Sequence, residues 1–380
     1  MYDCKLSVII VPHDRPCPPE PCLYSLRAAV DGLDAEIFFA SGPRTDARRR
    51  ADTAAAAVAY PDRLPDESDV QFVNRIITTR CRGEYILLLH PDTVIGEDSL
   101  RTLCCFMDEH AAEAGAAGVK MLDGNGLFLP ESMRGWPSPQ ALRGRLCHTK
   151  QRLACDLSGL DPDRPHRVDI VSDAFLLLNH DALKKTGLPD ETLPKESAVH
   201  DLLYRMSAAG YALFYYPERI LHCGGEASRR GSGKHIRAFY DALLLFYRTH
   251  YPTARTTIFL IRLRRRHALL FEKKRKPHRL KTRRLMAFCR ESSLEEITRI
   301  ARQEIPETSH VVLRDPARRR LTEVIADRRT KMQACTDIVC CHPDISFAQI
   351  LLLMERMAEK TTAFHLYLAR TQQFISCETA

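Results

Sequence analysis

Apolar positions along this chain fall into short unbroken runs that alternate with stretches of helical spacing. Residues 6–11 (LSVIIV) form a continuous β-branched run ending at Pro12, which predicts a strand buried on both faces. Residues 22–33 place Leu23, Leu26, Ala29 and Val30 on one helical face, and AEIFFA (35–40) predicts a second buried strand. The segment 41–69 is rich in Pro, Asp and Arg and reads as a loop with one Ala-rich helix over 51–59. Residues 70–82 read as a helix, and GEYILLLHPDTVI (83–95) as a strand that leaves the core at His90-Pro91-Asp92. Strands alternating with helices predict an α/β unit with a mainly parallel sheet.

The pattern continues with VDIVSDAFLLLN (168–179), a strand pair or strand-turn, and SAVHDLLYRMSAAGY (197–211), an amphipathic helix ended by Gly210. Residues 212–225 read as a short strand and a Gly-containing loop, and 235–251 as a long helix with an aromatic-rich face. Composition then shifts. Residues 262–284 carry twelve Lys and Arg against one acid, Glu272. This is the clearest boundary, and it divides the chain into 1–255, a basic amphipathic linker 256–290, and 291–380. In the last part, residues 292–305, 336–341 and 347–361 alternate helix, strand and helix, which predicts a second, smaller α/β unit. No internal repeat or low-complexity tract is present.

Composition narrows the class. Hydrophobic residues make up 45% and charged residues 27% of the 380, as in soluble globular proteins. A formal net charge of +8 favours a negatively charged partner: phosphate, nucleotide, nucleic acid or an anionic membrane face. None of the fourteen cysteines forms a C-x-x-C pair, and the doublets Cys104-Cys105 and Cys340-Cys341 sit in apolar runs. That spacing argues against a zinc site or disulfide scaffold and for small buried hydrophobes in a reducing compartment. The N-terminus lacks the basic and apolar regions of a signal peptide, and the apolar runs are too short for a membrane span. A cytoplasmic location is expected, peripheral at the inner membrane face if the basic run docks there.

Candidate chemistry begins at Asp92, placed where a parallel strand ends, which is where ligands sit in open α/β sheets. A carboxylate there can hold a divalent metal that neutralises a diphosphate leaving group. The alternative is that Asp92 only caps a turn.

The order of segments adds a family resemblance. Gly83-Glu84-Tyr85 through His90-Pro91-Asp92-Thr93 resembles the G-E-Y-hhhh-N-P-D-T segment of family-2 glycosyltransferases with the GT-A fold, especially rhamnosyltransferase-like ones, where h is apolar. LSVIIV followed by Cys22-Leu23-Tyr24-Ser25-Leu26 is similar to the family's first strand and helix, and Arg134-Gly135-Trp136-Pro137-Ser138-Pro139 to its R-R-F-P-T-P loop. Val168-Asp169-Ile170-Val171-Ser172-Asp173-Ala174-Phe175 resembles V-D-V-L-x-G-A-F, and Ala209-Gly210-Tyr211 with His222 and Gly225-Glu226 resembles A-G-Y…H-x-x-G-E. Phe239-Tyr240 and Phe246-Tyr247-x-x-His250-Tyr251 resemble the aromatic helix that ends the family domain. The likeness covers roughly residues 5–252.

The resemblance implies a nucleotide-diphospho-sugar transferase fold, with Asp92 and His222 at a divalent metal, Mg or Mn. It implies substrate contacts at His13, Asp14, His90, Trp136, Asp173 and Arg205. It also implies a nucleotide-sugar donor and a polysaccharide or lipid-linked glycan acceptor, with inversion at the transferred sugar. Departures are as informative. The strand end written N-Y-N in the family is Pro12-His13-Asp14 here, the base-contacting acid after the second strand is replaced by Ala40-Ser41-Gly42, and the N-P-D asparagine is His90. The family's E-D-x-D-L-x-x-R carries the acceptor base; here it reads Ala198-Val199-His200-Asp201-Leu202-Leu203-Tyr204-Arg205. Glu196, His200 and Asp201 are the local substitutes for the missing base. Against these catalytic roles stand bland ones: a surface histidine, an acid packing its helix, and an acid favouring the helix N-terminus. A second function therefore stays open: a catalytically degenerate homologue acting as a binding or scaffold partner in glycan assembly.

In the basic run, Leu263, Ala268, Leu269, Leu270 and Phe271 alternate with cations, which suits an anionic membrane face or, equally, a solvated linker helix. Nucleic acid is disfavoured because no recognition motif accompanies the charge. Thr336 to Phe347 (TDIVCCHPDISF) resembles the D-E-I-I-F-C-x-K-D-I-S-F segment of a Rossmann-like domain fused to some bacterial family members. The glycine-rich phosphate loop that the resemblance implies after that domain's first strand is not visible near 308–316, so packing or oligomerisation is the expected role there.

Overall fold

The computed structural model describes residues 2–11, 19–40, 58–139, 142, 157, 159–223, 233–270, 283–305, 308–314, 336–359 and 362–377. It is mixed α/β, with two sheets. The first contains β1 (Cys4–Ile10), β2 (Ala35–Phe39), β3 (Val58–Ala59), β4 (Gly83–Leu89), β5 (Thr93–Ile95), β6 (Ala114–Leu122), β7 (His166–Val168), β8 (Phe175–Asn179) and β9 (Ala212–His222). Their order is β3-β2-β1-β4-β8-β6-β9-β5, with β7 also on β9. The pairings leave β1, β2, β3, β4, β6 and β9 running one way and β5, β7 and β8 the other, so the sheet is mainly parallel.

Side chains of a strand alternate between faces, and here both faces are covered, which is why the central strands read as unbroken apolar runs. Leu6, Val8, Ile10, Leu87 and Leu89 point into one layer with Leu23 and Leu26 of α1 (Glu20–Ala29) and Leu100 and Leu103 of α3 (Ser99–Glu109). Ile9, Ile86 and Leu88 point into the other, against Phe72 and Ile76 of α2 (Asp69–Thr79) and Leu202 and Met206 of α5 (Lys195–Ala208). The short α4 (His180–Thr186) joins β8 to that second layer. Helix α6 (Gly233–His250) and helix α7 (Arg255–Leu270) form a satellite core around Tyr240, Leu244, Tyr247 and Ile261.

The alanine-rich helix expected over 51–59 does not extend to its last residues. Val58 and Ala59 pair in parallel with Ile37 and Phe38, while 51–57 lie outside the described residues. Of the Cys104-Cys105 doublet, only Cys104 is buried, because adjacent helical residues face apart.

The second sheet begins at Arg283, inside the expected linker. It comprises β10 (Arg283–Phe288), β11 (Thr308–Arg314), β12 (Asp337–His342), β13 (Ala363–Leu368) and β14 (Gln373–Ser376), in the order β11-β10-β12-β13-β14. Only β14 is antiparallel. Helices α8 (Leu294–Glu304) and α9 (Phe347–Arg356) flank it.

The two sheets share a core. Val94, Leu122 and Leu221 of the first pack with Met286, Phe288, Phe347 and Leu366 of the second. Glu97 accepts hydrogen bonds from the Phe347 and Ala348 amides at 2.6 and 2.8 Å, capping α9 from outside its own unit. The buried Lys120 ammonium pairs with Glu355, which also accepts from Arg219. A Cβ at Gly124 would lie 1.6 Å from the Cys377 carbonyl oxygen, so this contact admits no side chain.

Candidate metal centre

Strand pairing assembles the centre. Because β4 and β8 are antiparallel with Leu89 opposite Phe175, the chain leaving β4 runs beside the chain entering β8. The His90 amide donates to the Ala174 carbonyl at 2.9 Å, and the Thr93 hydroxyl donates back to the His90 carbonyl at 2.7 Å. After this turn, β5 pairs with the end of β9, Thr93 opposite His222, and the Cys223 amide donates to the Asp92 carbonyl at 3.0 Å. Asp92 and His222 are thereby neighbours, with His90 close to both.

His90, Asp92 and His222 each offer one donor atom, and these atoms lie within 4.8 Å of one another. It is the cluster of this kind among the described residues. All three are more than nine-tenths buried, at 6%, 4% and 5% exposure. His222 Nε2 is 3.5 Å from Asp92 Oδ1, and the rings of His90 and His222 meet edge-on at 5.9 Å. Asp173 Oδ2 lies 3.5 Å from His90 Nε2. Carboxylates commonly orient metal-binding imidazoles this way.

Burial, reinforced by the Lys195 charge, pushes the His90 imidazole below its ordinary value, so it is neutral at pH 7. Burial works against ionisation of Asp173, but His90, Lys195 and His200 close by outweigh it and hold the carboxyl below the usual range. A small, partly open pocket adjoins these groups. Its walls include Val11, Leu89, Ala198 and Val199, and its polar residues include His90, Asp173 and Lys195.

The other expected site residues divide clearly. His200 is half-buried and close enough to Asp173 to act on its charge. Glu196 is exposed. Asp201 accepts from Arg205 Nε at 2.8 Å and faces His250 Nε2 at 3.2 Å. Arg205 also donates to the carbonyls of Thr186, Gly187 and Leu188, latching α5 to the segment after α4. Trp136 stacks on Phe246 at 5.5 Å and 9°, edge-on to Tyr204 at 5.2 Å. His13 and Asp14 lie outside the described residues.

Two features go beyond the sequence reading. His90 joins the potential ligand cluster, whereas the resemblance places it at substrate; the legible signal is the H-x-D spacing just past a strand end, where the turn to β5 brings the two side chains together. Lys195 carried no signal, because a lysine in a first helical turn ordinarily faces water. Here its Nζ is shielded from solvent and makes no hydrogen bond among the described residues.

No family model matches the chain, and no curated protein matches it. Solved structures similar to it include GalNAc-T7 with UDP, GalNAc and Mn2+, at 12% identity and a TM-score of 0.40, covering 58% of this chain and 44% of that one. A mycobacterial protein is similar at 16% identity and a TM-score of 0.41, covering 64% of this chain and 74% of that one. The chain thus spans less than half of the first structure. Similarity of this degree does not carry function, which must be read from the chain's own residues.

Proposed function

We propose that this chain binds a nucleotide-diphospho-sugar at a divalent metal held by His90, Asp92 and His222, and transfers the sugar with inversion to a glycan or lipid-linked acceptor. The observation that carries the reading is the buried His-Asp-His cluster at the strand ends, on the same Asp92 and His222 that the family-2 glycosyltransferase motifs single out. Two imidazoles and one carboxylate fit a first-row ion such as Mn2+ better than Mg2+, which prefers an all-oxygen shell. When bound, the ion supplies positive charge for the diphosphate leaving group. Asp173 orients His90, and His200 is the best-placed local base for the acceptor hydroxyl, since Glu196 is exposed and Asp201 is engaged by Arg205 and His250.

A second reading, a binding homologue without turnover, is favoured by one observation. Ala198 and Val199, at the family's acidic pair, are buried at 0% and 4% exposure in an apolar wall, so no carboxylate occupies that place. A positioned base contributes about 10²–10⁴-fold to such a step.

Calorimetry with Mn2+ and a panel of nucleoside diphosphates tests the site. Wild type should bind nucleotide only with metal, and Asp92→Ala should lose both while melting near the wild-type temperature. Equal binding by Asp92→Ala would refute the metal centre. A donor–acceptor panel then separates the two readings: turnover abolished by His200→Gln with binding intact supports the transferase, and binding without turnover supports the silent homologue.

A further inference from the structure

Helix α7 is packed on one side only. Thr257 and Ile261 are buried, Ala268 leans on the Tyr240–Tyr247 core, and Arg265 pairs with Asp241 of α6 at 3.0 Å. The opposite side faces water, and it is not polar throughout. Phe259, Leu263 and Leu270 are 64%, 55% and 80% exposed, three of the four large hydrophobics so exposed among the described residues. Spaced i, i+4 and i+11, they fall within about 40° on the helix surface. Arg255, Arg262 and Arg266 are exposed on the same side, and no acid is. Sequence spacing alone adds Ala268, Leu269 and Phe271 to the apolar half, but Ala268 is turned inward and Phe271 lies outside the described residues.

Single exposed apolar side chains are ordinary, but an aligned set on one convex face marks a binding surface. We propose that this face lies on a membrane surface bearing anionic lipids. Charge complementarity selects the partner: arginines border the apolar stripe without acids, and the chain continues through eight further cations at 273–281 and 283–284 interrupted by no acid beyond Glu272. Seated in the interface plane, Phe259, Leu263 and Leu270 would enter the boundary between headgroups and acyl chains, while the arginines extend their charges to lipid phosphates. No described helix is long and apolar enough to cross a membrane, and α7 is held against the protein along its inner side, so the contact is peripheral. The surface is independent of the nucleotide-sugar reading and is tested without nucleotide.

The probe is co-sedimentation of the full chain with vesicles of phosphatidylcholine, with or without phosphatidylserine, at low and high salt. Wild type should bind only the phosphatidylserine vesicles and leave them as salt screens the charges. Each basic residue near such a surface contributes about fivefold, so Arg262→Glu with Arg266→Glu should weaken binding by about 25-fold or more. Phe259→Ser with Leu263→Ser should weaken it by about tenfold or more. These side chains are exposed, so both variants should melt as wild type does. Absence of wild-type binding to phosphatidylserine vesicles at low salt overturns the proposal, and so does wild-type binding by either double variant. A wild-type dimer in sedimentation velocity that the serine pair converts to monomer would instead make the stripe a self-association face and overturn it too.

Discussion

Charges around the candidate centre nearly cancel before any ion arrives. With both ligand imidazoles neutral, as ligation requires, Asp92 and Asp173 are offset in part by Lys195, leaving one net negative charge. A divalent ion turns that into one net positive charge, suited to an anionic ligand. Lys195 therefore acts in opposite directions on the two binding steps. Lys195→Met should strengthen Mn2+ binding, by removing a cation beside the ligands, and weaken nucleoside diphosphate binding to the loaded centre by about tenfold. Calorimetric titration of each in turn would check the pair of signs; both affinities moving the same way would mean that Lys195 acts through structure, not charge. Part of this site is legible in the amino-acid sequence. Asp92 and His222 were legible because a carboxylate and an imidazole stand at strand ends in a known motif order. Lys195 was not, because whether an ammonium in a first helical turn faces water depends on the loop at Pro189 and the strand end at Leu88, which line the same cavity.

At the scale of elements, strands and helices with strong periodicity were legible, and β6 was not. Its sequence, AGAAGVKML, is poor in the β-branched and aromatic residues that mark strands, yet all nine residues are buried. Tertiary crowding explains the composition: a Cβ on Gly118 would sit 2.6 Å from Val171 Cβ, and one on Gly115 would sit 2.8 Å from Tyr211 Cβ. Small residues let neighbouring segments close over the strand beside β9. Further along β6, Lys120 turns to the second unit, where its side chain is 4% exposed against Glu355 at 17%. Glu355→Ala would leave this ammonium with only the exposed Asp163, and should cost about 3 kcal/mol, the low end for breaking a buried pair. Replacing the pair together, Lys120→Met with Glu355→Leu, should cost less than Glu355→Ala alone. Urea denaturation of the three proteins gives the comparison, and equal losses in both variants would mean that packing of the helix, not the uncompensated charge, sets the cost.

Across the whole molecule, the two sheets depend on each other at the strands that carry the metal ligands. β5 and β9 bring Asp92 and His222 together, and the same two strands send Val94 and Leu221, with Leu122 of β6, into the core shared with Met286, Phe288, Phe347 and Leu366. Those three first-sheet side chains are at most 1% exposed. Removing the second unit would bare them, at about 1.5–3 kcal/mol each. The Glu97 cap and the Lys120–Glu355–Arg219 pairs would be lost as well. Against a total stability of roughly 5–15 kcal/mol for an ordinary domain, that loss is large enough to loosen β5 and β9. A chain truncated after residue 282 should therefore be poorly soluble or bind Mn2+ far more weakly than the full chain, although it keeps His90, Asp92 and His222. For the same reason the full chain should melt in one cooperative transition, with calorimetric and van't Hoff enthalpies in agreement. Two separate transitions, together with a soluble truncated chain of wild-type Mn2+ affinity, would show that the shared core is not what holds β5 against β9.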